Sequence, residues 1–216
     1  IFFGGGTPSL MPINVFDKII TTITNTFNLI PDAEITLESN PKTLTHEKLN
    51  DFHKIGMNRL SVGVQSLNDK KLIFLGRKHS VSDALQLIDN ANTMGVRVSA
   101  DFIYGLPDET IDDVIDTCNQ INKLGLKHCS MYELTIEKNT PFGKMNLNMP
   151  DNYTMAQMYI AIGNTLNLPR YEVSNYATDD QHCRHNENIW DGAPYIGIGI
   201  GAAGRVYCDN IWHEQL

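Results

Sequence analysis

The chain of 216 residues carries 25 Asp and Glu against 17 Lys and Arg, for a formal net charge of -8. Its basic residues are scattered rather than clustered, which argues against a general nucleic-acid binder, and no apolar run approaches the ~18 residues a membrane span needs. The length suits one well-buried domain or most of a larger one.

The chain opens on Ile1 rather than Met and inside a strand pattern, so it reads as a fragment whose natural N-terminal segment is missing. With no signal peptide, a cytoplasmic protein is expected. Peripheral membrane contact and oligomeric state are left open. The four cysteines, Cys118, Cys129, Cys183 and Cys208, form no C-x-x-C pair and no zinc-ligand spacing. Cys118 and Cys129 fall in apolar helix and strand patterns, as buried small hydrophobes would. Cys183 stands apart, beside His182 and His185.

In chain order, Ile1-Phe2-Phe3 is an apolar strand that empties into Gly4, Gly5 and Gly6. Three glycines let backbone groups approach a ligand closely and adopt positive φ, so a ligand-cradling loop is expected there. Pro12 then opens a helix with apolar positions Val15, Ile19, Ile20, Ile23 and Phe27. Strands follow at 33–39, 59–66, 96–105 and 127–135. Between them lie a helix capped by Thr45, a short helical turn at 67–76, and two helices opened by the capping boxes Ser80-x-x-Asp83 and Thr110-x-x-Asp113. Strands alternating with helices of this length imply a parallel sheet with right-handed crossovers.

The strands alternate in polarity. Ala33, Ile35 and Leu37 oppose Glu34, Thr36 and Glu38. Likewise Leu60, Val62 and Val64 oppose Ser61, Gly63 and Gln65, while Val98, Ala100 and Phe102 oppose Arg97, Ser99 and Asp101. A parallel sheet covered on both faces would read as unbroken apolar runs. One face therefore lies under helices, and the other gathers Glu38, Gln65 and Asp101 at the strands' C-terminal ends. A barrel or partial barrel with a wet interior, holding a ligand at that rim, is the expectation.

From Asn148 the pattern changes. A long helix is expected at 151–168 and a strand at 170–177, followed by a polar, histidine-rich segment at 179–188. The run at 195–204, with glycine at alternate positions, reads as a strand stripped on one face. A first domain of residues 1–147 and an incomplete second region of 148–216 follow.

Several stretches together resemble one family: GGGTP at 4–8, ESNP at 38–41, GMNRLSVGVQS at 56–66, LGRKH at 75–79 and DFIYGLP at 101–107. They look like the radical S-adenosylmethionine enzymes of the oxygen-independent coproporphyrinogen III oxidase group. YEVSNY at 171–176, Arg184-His185-Asn186 with Trp190, and GAAG at 201–204 are similar to the HemW-type haem chaperones within that group. The resemblance implies an α/β fold, a partial (β/α)6 barrel lacking its first strand, followed by the start of a C-terminal α+β region. It also implies S-adenosylmethionine, a [4Fe–4S] cluster and haem as bound groups, with haem-acceptor proteins as partners. The family's cluster ligands, three cysteines spaced C-x3-C-x2-C before the glycine loop, are absent from this sequence.

Carried over by position, the resemblance assigns Gly5, Gly6 and Thr7 to the amino-acid end of the cofactor. Glu38, Gln65 and Asp101 go to its other polar groups, including the ribose hydroxyls, and Arg77 to its carboxylate. Arg77 lies on no predicted strand, so only the resemblance speaks for it. His79 and His128 read as structural. For haem, the resemblance points to His185, Asn186 and Trp190, where Ile189 replaces the tyrosine of the family's H-N-x-x-Y-W pattern. Two functions follow: a haem chaperone that need not turn over substrate, or a radical oxidase that converts propionates of coproporphyrinogen III to vinyl groups.

Overall fold

In a computed structural model describing residues 1–215, the chain forms a six-stranded sheet and a two-stranded hairpin. The sheet strands are β1 (Phe2–Phe3), β2 (Thr36–Ser39), β3 (Arg59–Gln65), β4 (Arg97–Tyr104), β5 (His128–Glu133) and β6 (Asn175–Ala177), laid side by side in that order. The first five run parallel, whereas β6 pairs antiparallel to β5 through Cys129 and Tyr176. The helices are α1 (Ile13–Thr26), α2 (His46–Ile55), α3 (Asp69–Phe74), α4 (Val81–Thr93), α5 (Ile111–Lys123) and α6 (Asn152–Thr165). None is long and apolar enough to cross a membrane.

The helix starts follow the local chemistry. Both capping boxes form: Ser80 and Thr110 accept from the amides of Asp83 and Asp113, whose carboxylates accept from the cap amides in return. Thr45 caps α2 by accepting from the Lys48 amide. The helices cover the greasy face of the sheet. Leu60, Val62 and Ala100 are fully buried and Phe102 almost so, and Phe16 of α1 packs edge-on against Phe52 of α2 with ring centres 4.8 Å apart.

Three expectations need correction. Of the strand expected at 170–177, Asn175–Ala177 joins the sheet and Arg170 makes an isolated antiparallel bridge to Tyr176, while Tyr171 and Glu172 turn back to bond the Asn175 carbonyl. The glycine run at 195–204 is no strand: Gly199 and Gly201 take φ of 119° and 75°, which is turn geometry. A close backbone approach does occur there, since a Cβ on Gly197 would clash with the Ala203 carbonyl. Finally, the polar face of the sheet is dry along much of its length. Thr36, Arg59, Ser99 and Ser130 are all 3% exposed or less, whereas Ser61, Gln65, Glu38 and Asp101 toward the C-terminal rim, and Arg97 at the opposite end, are partly exposed.

Packing divides the chain after Gln181. α6 and β6 thus belong to the sheet-containing unit. The second unit, from His182 on, holds helix α7 (Arg184–Trp190) and the hairpin of β7 (Gly204–Cys208) and β8 (Ile211–Gln215).

Candidate functional site

The rim is built from the turns and strand ends that the alternation singled out. After β1 the chain enters the glycine loop, where Gly5 and Gly6 take φ of 76° and 51° and a Cβ on either would meet only open space. Positive φ suits glycine, and the empty surroundings leave the loop's amides and carbonyls open to a ligand. The Gly5 amide donates to Glu38 Oε2 at 3.1 Å, tying the loop to the end of β2. Thr7 Oγ1 accepts from Asn40 Nδ2 at 3.3 Å, a second tie to the segment after β2.

Gln65 ends β3 with φ of 69° at an irregularity in the pairing with β4. Its side chain folds over Gly63: a Cβ there would lie 2.8 Å from Gln65 Nε2 and 3.4 Å from Asn40 Oδ1. Gly63 thereby makes room for the two amides to approach. On β4, Asp101 accepts from the Ser61 hydroxyl at 2.9 Å. The hydroxyls of Ser130 and Ser99 and the charge of Arg59 also stabilise its ionised form, yet burial outweighs them and raises its pKa. Glu38 is raised as well, first by burial and then by the charge of Asp101, against the lowering hydrogen bond from Gly5. Two carboxylates sharing one rim accept hydrogen bonds only, so the site asks for donors: hydroxyls or an ammonium group.

Arg77 lies in the connection from α3 to α4. Its half-buried guanidinium has a buried Nε without a hydrogen-bond partner, and burial lowers its pKa. His79, two residues on, bonds the Val64 carbonyl at 3.1 Å and so pins this connection to the C-terminal end of β3. Among the described residues no hydrogen bond joins the Arg77 side chain to Glu38, Gln65 or Asp101. A further pin crosses the rim nearby: Glu109 accepts from the Gly105 and Leu106 amides and pairs with Lys71 of α3. Asn40, Ser61 and Ser130 were not singled out from sequence. Gly63, a glycine inside an apolar strand, was the signal for the close approach of Asn40.

In the second unit, α7 carries the other candidates. Asn186 and Trp190, four residues apart, share one helix face, while His185 falls in line with Ile189. His185 and Asn186 are half-buried and Trp190 is 47% exposed. His182 Nδ1 lies 2.7 Å from Glu187 Oε1, and Cys183 is buried, so both are engaged locally rather than displayed.

Residues 1–121 match the family model described as the radical SAM superfamily. The chain belongs to that family. It is 37% identical to the haem chaperone HemW of Escherichia coli over 95% of this chain and 56% of that protein. It is 38% identical to a mitochondrial radical S-adenosyl methionine domain-containing protein 1 of Danio rerio, over 95% of this chain and 48% of that protein. The chain thus spans about half the length of the curated relatives it matches. Its fold is that of the coproporphyrinogen III oxidase HemN of Escherichia coli, with a TM-score of 0.78 at 21% identity, covering 94% of this chain and 51% of that one. The α/β architecture is therefore the radical SAM partial barrel, and the strand alternation read it correctly.

Proposed function

We propose that this chain forms the barrel portion of a cytoplasmic haem chaperone of the HemW type, which holds S-adenosylmethionine at the rim and passes haem to acceptor proteins. The observation that carries the cofactor reading is the Gly5 amide bonded to Glu38, with Asp101 close enough to raise the Glu38 pKa. The residues fit the ligand. Gly5 and Gly6 leave open space, the paired carboxylates accept from ribose hydroxyls, and the unpartnered Arg77 Nε is a donor suited to a carboxylate. Gln65 offers an amide for the remaining polar groups.

S-adenosylmethionine brings an activated carbon–sulfur bond to such a site. Ligands for a [4Fe–4S] cluster are another matter: the four cysteines are dispersed, and among the described residues no group of three or more His, Cys, Asp or Glu could hold a metal. The likeness to HemW in sequence favours the chaperone over the oxidase, with haem held at His185, Asn186 and Trp190. Imidazole is a suitable axial ligand for haem iron, and an indole can flank the macrocycle.

The test uses the intact protein, prepared anaerobically. Haem titration is expected to saturate at one equivalent, and His185→Ala to weaken binding about tenfold or more, with coproporphyrinogen turnover at background. Decarboxylation of the porphyrinogen would overturn the chaperone reading in favour of the oxidase.

A further inference from the structure

Arg77 is mounted on α3 through its backbone. Past Leu75, which ends the helix, two amides fold back onto the last turn: Gly76 donates to the Ile73 carbonyl at 3.0 Å and Arg77 to the Leu72 carbonyl at 2.9 Å. Gly76 takes φ of 67°, the left-handed stop that closes many helices in this way. Whatever holds α3 therefore holds the Arg77 backbone. The start of α3 is fixed by Asn68, whose Oδ1 accepts from the Lys70 amide and whose own amide donates to Ser66 Oγ at 3.2 Å, next to the end of β3. A second hold is Lys71, whose ammonium lies 2.5 Å from Glu109 Oε1. The other oxygen of Glu109 accepts from the Gly105 and Leu106 amides at 2.6 and 3.0 Å, in the turn that follows β4. Glu109 is buried, so the pair is a charge-assisted clamp seated in protein.

We propose that Lys71 and Glu109 are positioning residues that hold the Arg77 guanidinium in register with the end of β4, the strand that carries Asp101, and so set the rim for a ligand carboxylate. The inference rests on the cofactor reading, in which Arg77 meets the carboxylate of S-adenosylmethionine. It extends that reading by making recognition of one functional group depend on an ion pair between two other residues. A guanidinium meets a carboxylate through a fork of two parallel donors, and such a constellation works only when held to within about 0.5 Å. The remaining ties do not supply that hold. The His79 bond to the Val64 carbonyl and the Val81 amide donating to Asp69 at 2.8 Å fix the connection along β3 and to α3 itself. Among the described residues, no other hydrogen bond or ion pair joins α3 to the turn after β4.

The test compares two ligands that differ by one group. Decarboxylated S-adenosylmethionine keeps the ammonium and loses only the carboxylate, so the ratio of the two affinities reads the Arg77 contact. In calorimetric titration of the intact protein, wild type is expected to prefer S-adenosylmethionine about tenfold or more, the scale of a hydrogen bond to a charged group. Arg77→Met should abolish the preference. The clamp is cut without stranding a charge by combining Lys71→Met with Glu109→Gln, since glutamine still accepts from the two amides. That variant should lose about fivefold for S-adenosylmethionine and nothing for the decarboxylated ligand. Adding Arg77→Met to it should cost no more than Arg77→Met alone, because both changes remove the same contact. Lys71→Arg, which keeps the ion pair, should bind both ligands as wild type does. A loss shared equally by the two ligands in the clamp variant, or an undiminished preference there, would overturn the proposal. If wild type binds both ligands alike, the Arg77 assignment and its mount fall while the cofactor reading stands. If wild type binds neither, the cofactor reading itself falls and takes this inference with it.

Discussion

The two ends of the same polar sheet face do opposite things with charge. At the N-terminal end Glu34 lies 3.9 Å from Arg59 and 3.3 Å from Arg97, and Arg97 also donates to Gln181, so the charges are paired among themselves. At the C-terminal end, among the described residues, neither Glu38 nor Asp101 forms an ion pair: Glu38 accepts from the Gly5 amide and Asp101 from the Ser61 hydroxyl, with Arg59 acting on Asp101 only as a nearby charge. Both sets come from the same alternating pattern. The difference teaches that alternation assigns a face, whereas pairing within that face separates the charges that build the barrel floor from those left over for a ligand.

The sharpest way to break this contrast is at the floor. The side chains of Glu34 and Arg59 are 4% and 3% exposed, and removing one partner leaves a buried charge uncompensated. Glu34→Ala is therefore expected to cost about 3–5 kcal/mol in urea unfolding. A loss below about 1 kcal/mol, the worth of an exposed pair, would erase the distinction between floor and rim.

At the rim the order reverses, with ligand affinity lost and stability kept. Asp101→Asn should weaken S-adenosylmethionine binding of the intact protein about tenfold or more, the scale of a hydrogen bond to a charged group. Unfolding should occur no earlier than in wild type. Unchanged affinity in both Asp101→Asn and Glu38→Gln would remove these carboxylates from the site.

A smaller effect probes the close approach at Gly63. In Gly63→Ala the new methyl must push Gln65 Nε2 from 2.8 Å, so binding should fall by a few-fold while the strand survives. The cost of displacing one flexible amide is about 1 kcal/mol.

Smallest is the pH dependence of stability. The folded-state pKa values of Glu38 and Asp101 are raised above 4.5 and 3.8, so the folded protein holds these protons longer than the unfolded chain. Stability is then unaffected below the unfolded values and falls as pH rises through the window up to the folded values. Glu38→Gln and Asp101→Asn should be more stable than wild type at neutral pH, with the gain vanishing below about pH 4. A gain that persists undiminished in acid would contradict the assigned cause.

Much of this was legible in the residues. The capping boxes at Ser80 and Thr110, the βα repeat and the greasy face of Leu60, Val62 and Val64 depend on neighbours within a turn or on a period of two, and both survive folding unchanged. The strand at 170–177 was misread because Tyr171-Glu-Val-Ser has strand composition, while the Glu172 carboxylate accepts from the Ser174 amide and the Asn175 side chain and holds a turn. That part of the polar face, at Thr36, Arg59, Ser99 and Ser130, is closed off from solvent was hidden for a similar reason. Nothing local shows that Ser99 will find His128, 29 residues away, or that Arg97 will find Glu34, 63 residues away.

By itself the sequence determined the period, the caps and which side chains share a face, because those follow from backbone geometry acting over a few residues. Only the tertiary structure decided which polar groups on that face satisfy one another and which stay open. Hydrogen bonds and ion pairs between strands depend on register and on contacts distant in the chain, and those exist only once the sheet has assembled.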